Sequence, residues 1–457
     1  TQVNYELKTP CKLKCSLPNG PDLDLAPGET FVSPRCILVC HASTEREKRG
    51  KDIRATWKGL APWTSDNPLM LHLTSTDEKT VRTAIDQCAE CGFEMVIFSF
   101  GSGLNMEDIS QANISKFRSF ADYAHSKGIR IGGYSLLASR SVSPDDDVIN
   151  PETGRTGGTI FGNSPCLCSK WGLDYFRRIK TFLKDTRFDL LEHDGSYPGD
   201  VCASTKHPGH RGTSDSQWRQ FELIRDLYHW CRKQGVYLNV PDTYFLCGSN
   251  KVGMGYRETN WSLPRSLQHI HSRQNMFDGT WEKRPSMGWM FVPLVQYHGG
   301  GAEATIEPLR DHLDDYKRHL DSCLGYGVQA CYRGPRLYDS PETKAMVIRT
   351  VTKYKKYRRL LEGDITHLRR PDGRNIDAIL HTDDDHAGRM MLVAYNPVYK
   401  KQVTTISLPS TLSPYKPIRV IDTDSGAKST LRPETSGRFE ITIGVDGGAM
   451  RMLELVQ

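Results

Sequence analysis

The sequence predicts a (β/α)8 barrel followed by an antiparallel β-sandwich, with a short β segment ahead of the barrel. Three observations carry this. From about residue 68, short apolar runs alternate with longer amphipathic stretches, the order of parallel strands and crossover helices. From about residue 364 the amphipathic stretches stop, and only short alternating runs between turns remain. No Gly-x-Gly-x-x-Gly follows the first apolar run, which argues against a doubly wound nucleotide-binding sheet. The expected division is an N-terminal β segment over 1–60, a barrel over 61–363 and a sandwich over 364–457.

The N-terminal segment mixes Pro, Gly and alternating apolar positions, as in Leu25-Ala-Pro-Gly-Glu-Thr-Phe-Val-Ser-Pro34. It is too short for a sandwich of its own and reads as the tail of a larger β-domain or a cap on the barrel. The first barrel strand is expected at Leu69–Thr74. Its helix, Asp77–Cys91, has acidic residues in the first turn and Gly92 just past the end. Phe93–Phe100 is almost continuously apolar, as a strand buried on both faces must be. The helix 114–126, the strand 129–137, the helix 171–184 and the strand Phe188–His193 follow. Next come the helix 217–233, the strand 236–240, a weaker strand at 252–256 and a seventh at 288–294. The helix 308–324 leads to the eighth strand, 328–332, and the helix 343–361 closes the series. Short strands are then expected at 378–381, 390–395, 403–408, 418–422, 439–443 and 450–455, with turns such as Asp446-Gly-Gly between them.

Composition excludes several function classes. A chain of 457 residues with 38% hydrophobic and 25% charged residues is ordinary for two or three soluble domains. No apolar run reaches the length of a membrane span, so no membrane partner is expected. The net charge of +6 is spread out; the densest basic stretch, Lys353–Arg359, reads as a solvated helix face rather than a nucleic-acid site. The thirteen cysteines include close pairs at 11/15, 36/40, 88/91 and 166/168. Cys88-x-x-Cys91 lies inside an amphipathic helical pattern and reads as buried thiols. No metal ion or organic cofactor is expected. The chain starts at Thr1 without a signal-peptide pattern, and the Asn-x-Ser sequons at Asn113 and Asn260 are too common to fix a secretory origin. A secreted or periplasmic setting is favoured over others, and the oligomeric state is left open.

In a barrel the reactive groups sit at the C-terminal ends of strands. The fourth strand ends Leu190-Leu-Glu-His-Asp-Gly-Ser196, which puts the carboxylate of Asp194 at the mouth. Cleavage of a glycosidic bond needs a second carboxylate across that bond. Two positions offer one: Glu258, after the sixth strand in Tyr256-Arg-Glu-Thr-Asn-Trp261, and Asp242, after the fifth in Asn239-Val-Pro-Asp242. His72, Ser99, Tyr134, His193, Arg257, Trp261, Trp289, His298 and Arg333 also fall at or near strand ends. Such a set suits a sugar, with hydroxyls to hydrogen-bond and C–H faces to stack. His298-Gly-Gly-Gly301 lacks the Lys-Ser/Thr of a phosphate loop, and His269-Ile-His271 has the wrong spacing for one helix face.

Around Phe188-Asp-Leu-Leu-Glu-His-Asp194 the chain resembles the α-galactosidase-like glycoside hydrolases of clan D, especially the family 36 type. The resemblance implies a nucleophile at Asp194, an acid/base residue after the sixth strand and hence Glu258 ahead of Asp242, and a C-terminal sandwich. It implies a retaining, exo-acting α-glycosidase with a carbohydrate partner. Three places depart from that pattern. Glu192-His193-Asp194 stands where the family has Lys-Trp-Asp, Ser99-Phe-Gly-Ser102 where it has an Asp pair, and Glu258 where it has Asp. A non-catalytic carbohydrate-binding barrel, or a barrel lyase or isomerase with His193 as base, stands as the alternative reading.

Overall fold

The apolar runs pair edge to edge in the computed structural model, which describes residues 20–33, 35–195, 199–254, 262–296, 299–386, 388–409, 412–413 and 416–457. Eight parallel strands form one sheet: β1 Met70–Leu73, β2 Met95–Phe98, β3 Arg130–Leu136, β4 Leu190–Asp194, β5 Tyr237–Asn239, β6 Val252–Gly253, β7 Gly288–Pro293 and β8 Gln329–Gly334. Their order is β5-β4-β3-β2-β1-β8-β7-β6, so the first and last strands in sequence lie inside the ladder and β5 and β6 meet at a seam. Two backbone hydrogen bonds cross that seam, from Asn250 N–H to the Leu238 carbonyl at 3.0 Å and from Gly253 N–H to the Pro241 carbonyl at 3.1 Å. This is the expected (β/α)8 barrel, and the open-sheet alternative is excluded.

Local chemistry sets the starts of half of the described helices. Among α1 Arg46–Leu60, α2 Glu78–Cys91, α3 Gln111–Ser126, α4 Lys170–Thr186, α5 Ser216–Lys233, α6 Arg265–Gly279, α7 Leu313–Tyr326 and α8 Pro341–Leu361, four carry side-chain N-caps, among them α4, where Ser169 Oγ accepts from Gly172 N–H at 3.1 Å. Asp77 caps α2, Ser110 caps α3, and Ser340 forms a reciprocal box with Thr343 at the start of α8. Gly92 ends α2 in the left-handed region, as its position predicted.

The N-terminal expectation needs correction. Residues 46–60 are helix α1, and among the described residues no strand precedes β1. The apolar side chains read as strand positions have no sheet to join: Leu25, Val32 and Leu38 are exposed. Helix α1 is instead anchored through Arg54. This buried guanidinium donates to Asp364 at 2.6 Å and to the carbonyls of Thr280 and Trp281 at 3.2 and 3.0 Å.

The C-terminal strands β9 Asp364–Arg369, β10 Asp377–Thr382, β11 Arg389–Tyr395, β12 Gln402–Ser407, β13 Ile418–Asp422, β14 Lys428–Leu431, β15 Glu440–Val445 and β16 Met450–Val456 pair antiparallel in two sheets. The larger runs β14-β13-β16-β11-β10-β9 and the smaller is β12-β15. Leu380, Leu392 and Leu453 from one sheet and Ile406, Ile441 and Ile443 from the other share one buried cluster, which makes the pair a sandwich. Among the described residues no helix is long and apolar enough to cross a membrane.

By contact density the chain separates into two units. One holds His41–Leu136, Arg178–Asp194 and Tyr228–Gln457, and so contains all sixteen strands. The other holds the described part of 1–40 with Leu137–Arg177 and Gly195–Leu227, the long excursions after β3 and β4.

Candidate active site

Strand parity builds the barrel interior. Side chains two apart on a strand share a face. Met70, Met95, Ile97, Leu190 and Tyr237 form an apolar layer with at most 2% exposure. One step toward the C-terminal ends the layer turns polar, with His72 on β1, Glu192 on β4, Asn239 on β5 and Arg333 on β8. The ladder puts His72 beside Arg333 and Glu192 beside both Tyr134 and Asn239. The next residue of the same parity on β4 is Asp194. It ends the strand, and Gly195 turns the chain away at a φ of 71° that favours glycine.

These residues line one cleft: Ser99, Phe100, Tyr134, Glu192, Asp194, Pro241, Trp289 and Phe291. Tyr134 donates its hydroxyl to Asp194 Oδ2 at 2.7 Å. Phe100 packs edge-on against Tyr134 with centroids 5.5 Å apart, and Trp289 against Phe291 at 5.0 Å, so four aromatic rings wall the cleft. Arg333 donates to Ser99 Oγ at 3.2 Å and to the Phe100 carbonyl at 2.8 Å.

The electrostatics separate the carboxyl groups. Glu192 is buried, and burial, then the nearby charge of Asp194, raises its carboxyl from the ordinary 4.5 to about 8. Arg333 and the nearby Asn239 amide pull the other way and do not overcome this. Glu192 is therefore a neutral acid at neutral pH and can donate a hydrogen bond. His72, whose Nδ1 lies 3.5 Å from Glu192 Oε2, is held down to about 3 by burial and by the charge of Arg333. The contact thus joins two neutral groups and is no ion pair. Asp242, half-buried after β5, has its carboxyl raised by burial and by the charge of Asp194.

Of the residues expected at the site, Asp194, Ser99, Tyr134 and Trp289 line the cleft, while His72, Arg333 and Asp242 interact with its carboxylates or walls. His193 does not join them. It has the opposite parity on β4, is fully buried, and puts Nδ1 2.9 Å from the Tyr228 hydroxyl on α5. The described residues thus do not bring His193 to the cleft as the sugar contact, or the lyase or isomerase base, expected of it. Glu258, Arg257, Trp261 and His298 lie outside the described residues. Glu192, Phe100, Phe291 and Asn239 were missed. Once Asp194 is known to face the cleft, parity places Glu192 there too, since it stands two residues earlier on the same strand.

Fold and site together define a (β/α)8 barrel with a carboxylate at the end of the fourth strand, an aromatic-walled cleft and a C-terminal sandwich. Comparison with known proteins gives the class more detail. No family model and no curated protein sequence matches the chain. Solved structures do. The α-galactosidase AgaA of family 36 from Geobacillus stearothermophilus, in complex with raffinose, superposes with a TM-score of 0.65 at 14% identity, covering 90% of this chain and 59% of that one. AgaB from the same organism gives 0.63 at 14% identity, covering 90% and 59%. The galactosidase domain of the α-galactosidase–sucrose kinase AgaSK gives 0.63 at 12% identity, covering 90% and 58%. The chain thus spans about three-fifths of the length of these galactosidases. At such identity the likeness is one of fold.

Proposed function

We propose that the protein is a retaining, exo-acting α-glycosidase of the α-galactosidase type. The observation that carries this is Asp194 at the end of β4, hydrogen-bonded by Tyr134 and facing a cleft walled by Phe100, Tyr134, Trp289 and Phe291. Asp194 attacks the anomeric carbon and the bond to the leaving oxygen breaks. A second carboxyl group gives that oxygen its proton, then takes one from the water that releases the sugar. Asp242 and Glu258 are the two candidates for this role. The raised carboxyl of Asp242 is what a general acid needs. Glu192 stands where the family 36 type carries Lys, and offers a neutral donor to a sugar hydroxyl in place of a cation. The sugar read by this cleft therefore differs in at least one polar contact from that of the family pattern. Enclosure by aromatic rings favours a terminal sugar over an internal one, hence exo action.

The test is a panel of aryl α-glycosides. The first-formed product should keep the α configuration by NMR. A fluorinated glycosyl fluoride should leave a covalent adduct on the peptide carrying Asp194. An inverted product, an unsaturated product or an adduct elsewhere would sink the mechanism, and binding without turnover would point to a non-catalytic carbohydrate-binding barrel. For the acid/base residue, the variant that retains activity on activated leaving groups and is rescued by azide identifies it, Asp242→Ala being compared with Glu258→Ala.

A further inference from the structure

We propose that Cys166, Cys202, His207 and His210 bind a structural zinc ion. They come from two loops of the second unit: Cys166 precedes α4, and the other three precede α5. All four are buried, and their ligating atoms lie within 4.8 Å of one another. Cys166 Sγ is 3.3 Å from His210 Nε2, and Cys202 Sγ is 3.5 Å from His207 Nδ1. His207 Nδ1 and His210 Nε2 are 3.3 Å apart, with the two rings at 89°. A tetrahedral zinc ion, with Zn–N near 2.05 Å and Zn–S near 2.3 Å, sets N···N edges at about 3.3 Å and N···S edges at about 3.5 Å. The three edges Cys166–His210, Cys202–His207 and His207–His210 match those of such a cage.

The surroundings prepare the ligands. His207 Nε2 lies 3.0 Å from the Asp145 carbonyl. A proton held there leaves the lone pair of Nδ1 directed at the cluster, the arrangement by which a backbone carbonyl fixes the tautomer of a ligating histidine. The Ile149 N–H points at Cys202 Sγ from 3.4 Å, a donor suited to a thiolate. The buried Nδ1 of His210 has no hydrogen-bond partner, so nothing competes with Nε2 for the orientation of the ring except the cluster itself. Gly209 lets the loop close: a Cβ there would meet Cys168 Cβ at 2.8 Å and the Cys168 carbonyl at 2.9 Å. Two thiolates and two imidazoles select a borderline-soft ion, and four protein ligands leave no open position, so the role is structural. The ion would tie the loop after β3 to the loop after β4 in a unit whose described part holds no strand.

This inference does not depend on the proposed reaction. The full chain, purified without chelator, should carry about one zinc by elemental analysis. Exchange with cobalt should give the visible bands of a tetrahedral site together with a sulfur-to-cobalt charge-transfer band. The double variant Cys202→Ala, His207→Ala should lose the metal, while Cys88→Ala, in the other unit, should keep it. Should the double variant not fold, the wild type decides: modifying its thiols should release zinc to a colorimetric chelator in step with the loss of two protected cysteines. A metal-free folded protein, a Cys166–Cys202 or Cys166–Cys168 disulfide in peptide mapping, or zinc retained by the double variant would each overturn the proposal.

Discussion

The two ends of the barrel interior are built on the same strands and do opposite things. At the base, Met70, Ile97, Leu190 and Tyr237 fill the barrel with apolar volume. At the mouth, two residues further along the same strands, stand His72, Ser99, Glu192 and Asn239, buried polar groups with few partners. Burying them costs free energy, which the apolar layer beneath has to offset. The difference teaches that stability and chemistry are stacked along one axis, so substitutions should separate them by depth.

The largest expected effect is at the mouth. Asp194→Ala should lower turnover by about 10⁴-fold or more, as removal of a covalent nucleophile does. The thermal midpoint should stay close to that of the wild type, because the half-buried side chain packs little. A large fall in midpoint with modest loss of turnover would break the contrast. At the base, Leu190→Ala should do the reverse. It should cost about 2–5 kcal/mol in denaturant unfolding, as buried Leu truncations do, and leave turnover per folded molecule within a few-fold.

Glu192 sits between the two layers and should show both behaviours. Its carboxyl is raised to about 8 in the fold, by burial and then by Asp194, against 4.5 ordinarily. A raised carboxyl gives stability that is fully present below the ordinary value and is lost as pH rises through about 8. The wild type should therefore lose a few kcal/mol of stability between about pH 5 and pH 8 that Glu192→Gln does not lose, since the amide stays neutral. Denaturant midpoints of both proteins across that range provide the measurement, and parallel curves would show Glu192 to be ionised in the fold. The smallest effect should come from Tyr134→Phe. It removes one hydrogen bond to Asp194 and should cost about 10-fold in kcat/KM, with the folding midpoint unchanged.

Periodicity along the chain determined much of this architecture. An apolar run buried on both faces, bounded by helices with their own caps, has few ways to be satisfied besides a parallel sheet covered by helices. Hence β2, β4 and α2 lie close to where the sequence places them, and Asp194 falls at a strand end. Helix α1 was not legible, because its buried face is Gly50 and Arg54 rather than an apolar stripe, and apart from Glu47 on the same helix the partners of Arg54 lie more than two hundred residues away. Helix α6 was missed for a related reason: its buried positions include Gln268, His269, Ser272 and Arg273, and Arg273 is satisfied by a buried ion pair with Asp377 at 3.0 Å on β10. Which side of β4 faces the cleft was decided only by closure of the barrel. On a strand covered on both faces, Glu192 and His193 are equally plausible from sequence, and the ladder turns one inward and the other toward Tyr228. The Cys and His cluster lies furthest from sequence reasoning, since Cys166 and Cys202 meet through the path of two loops, and no local period records where a loop returns.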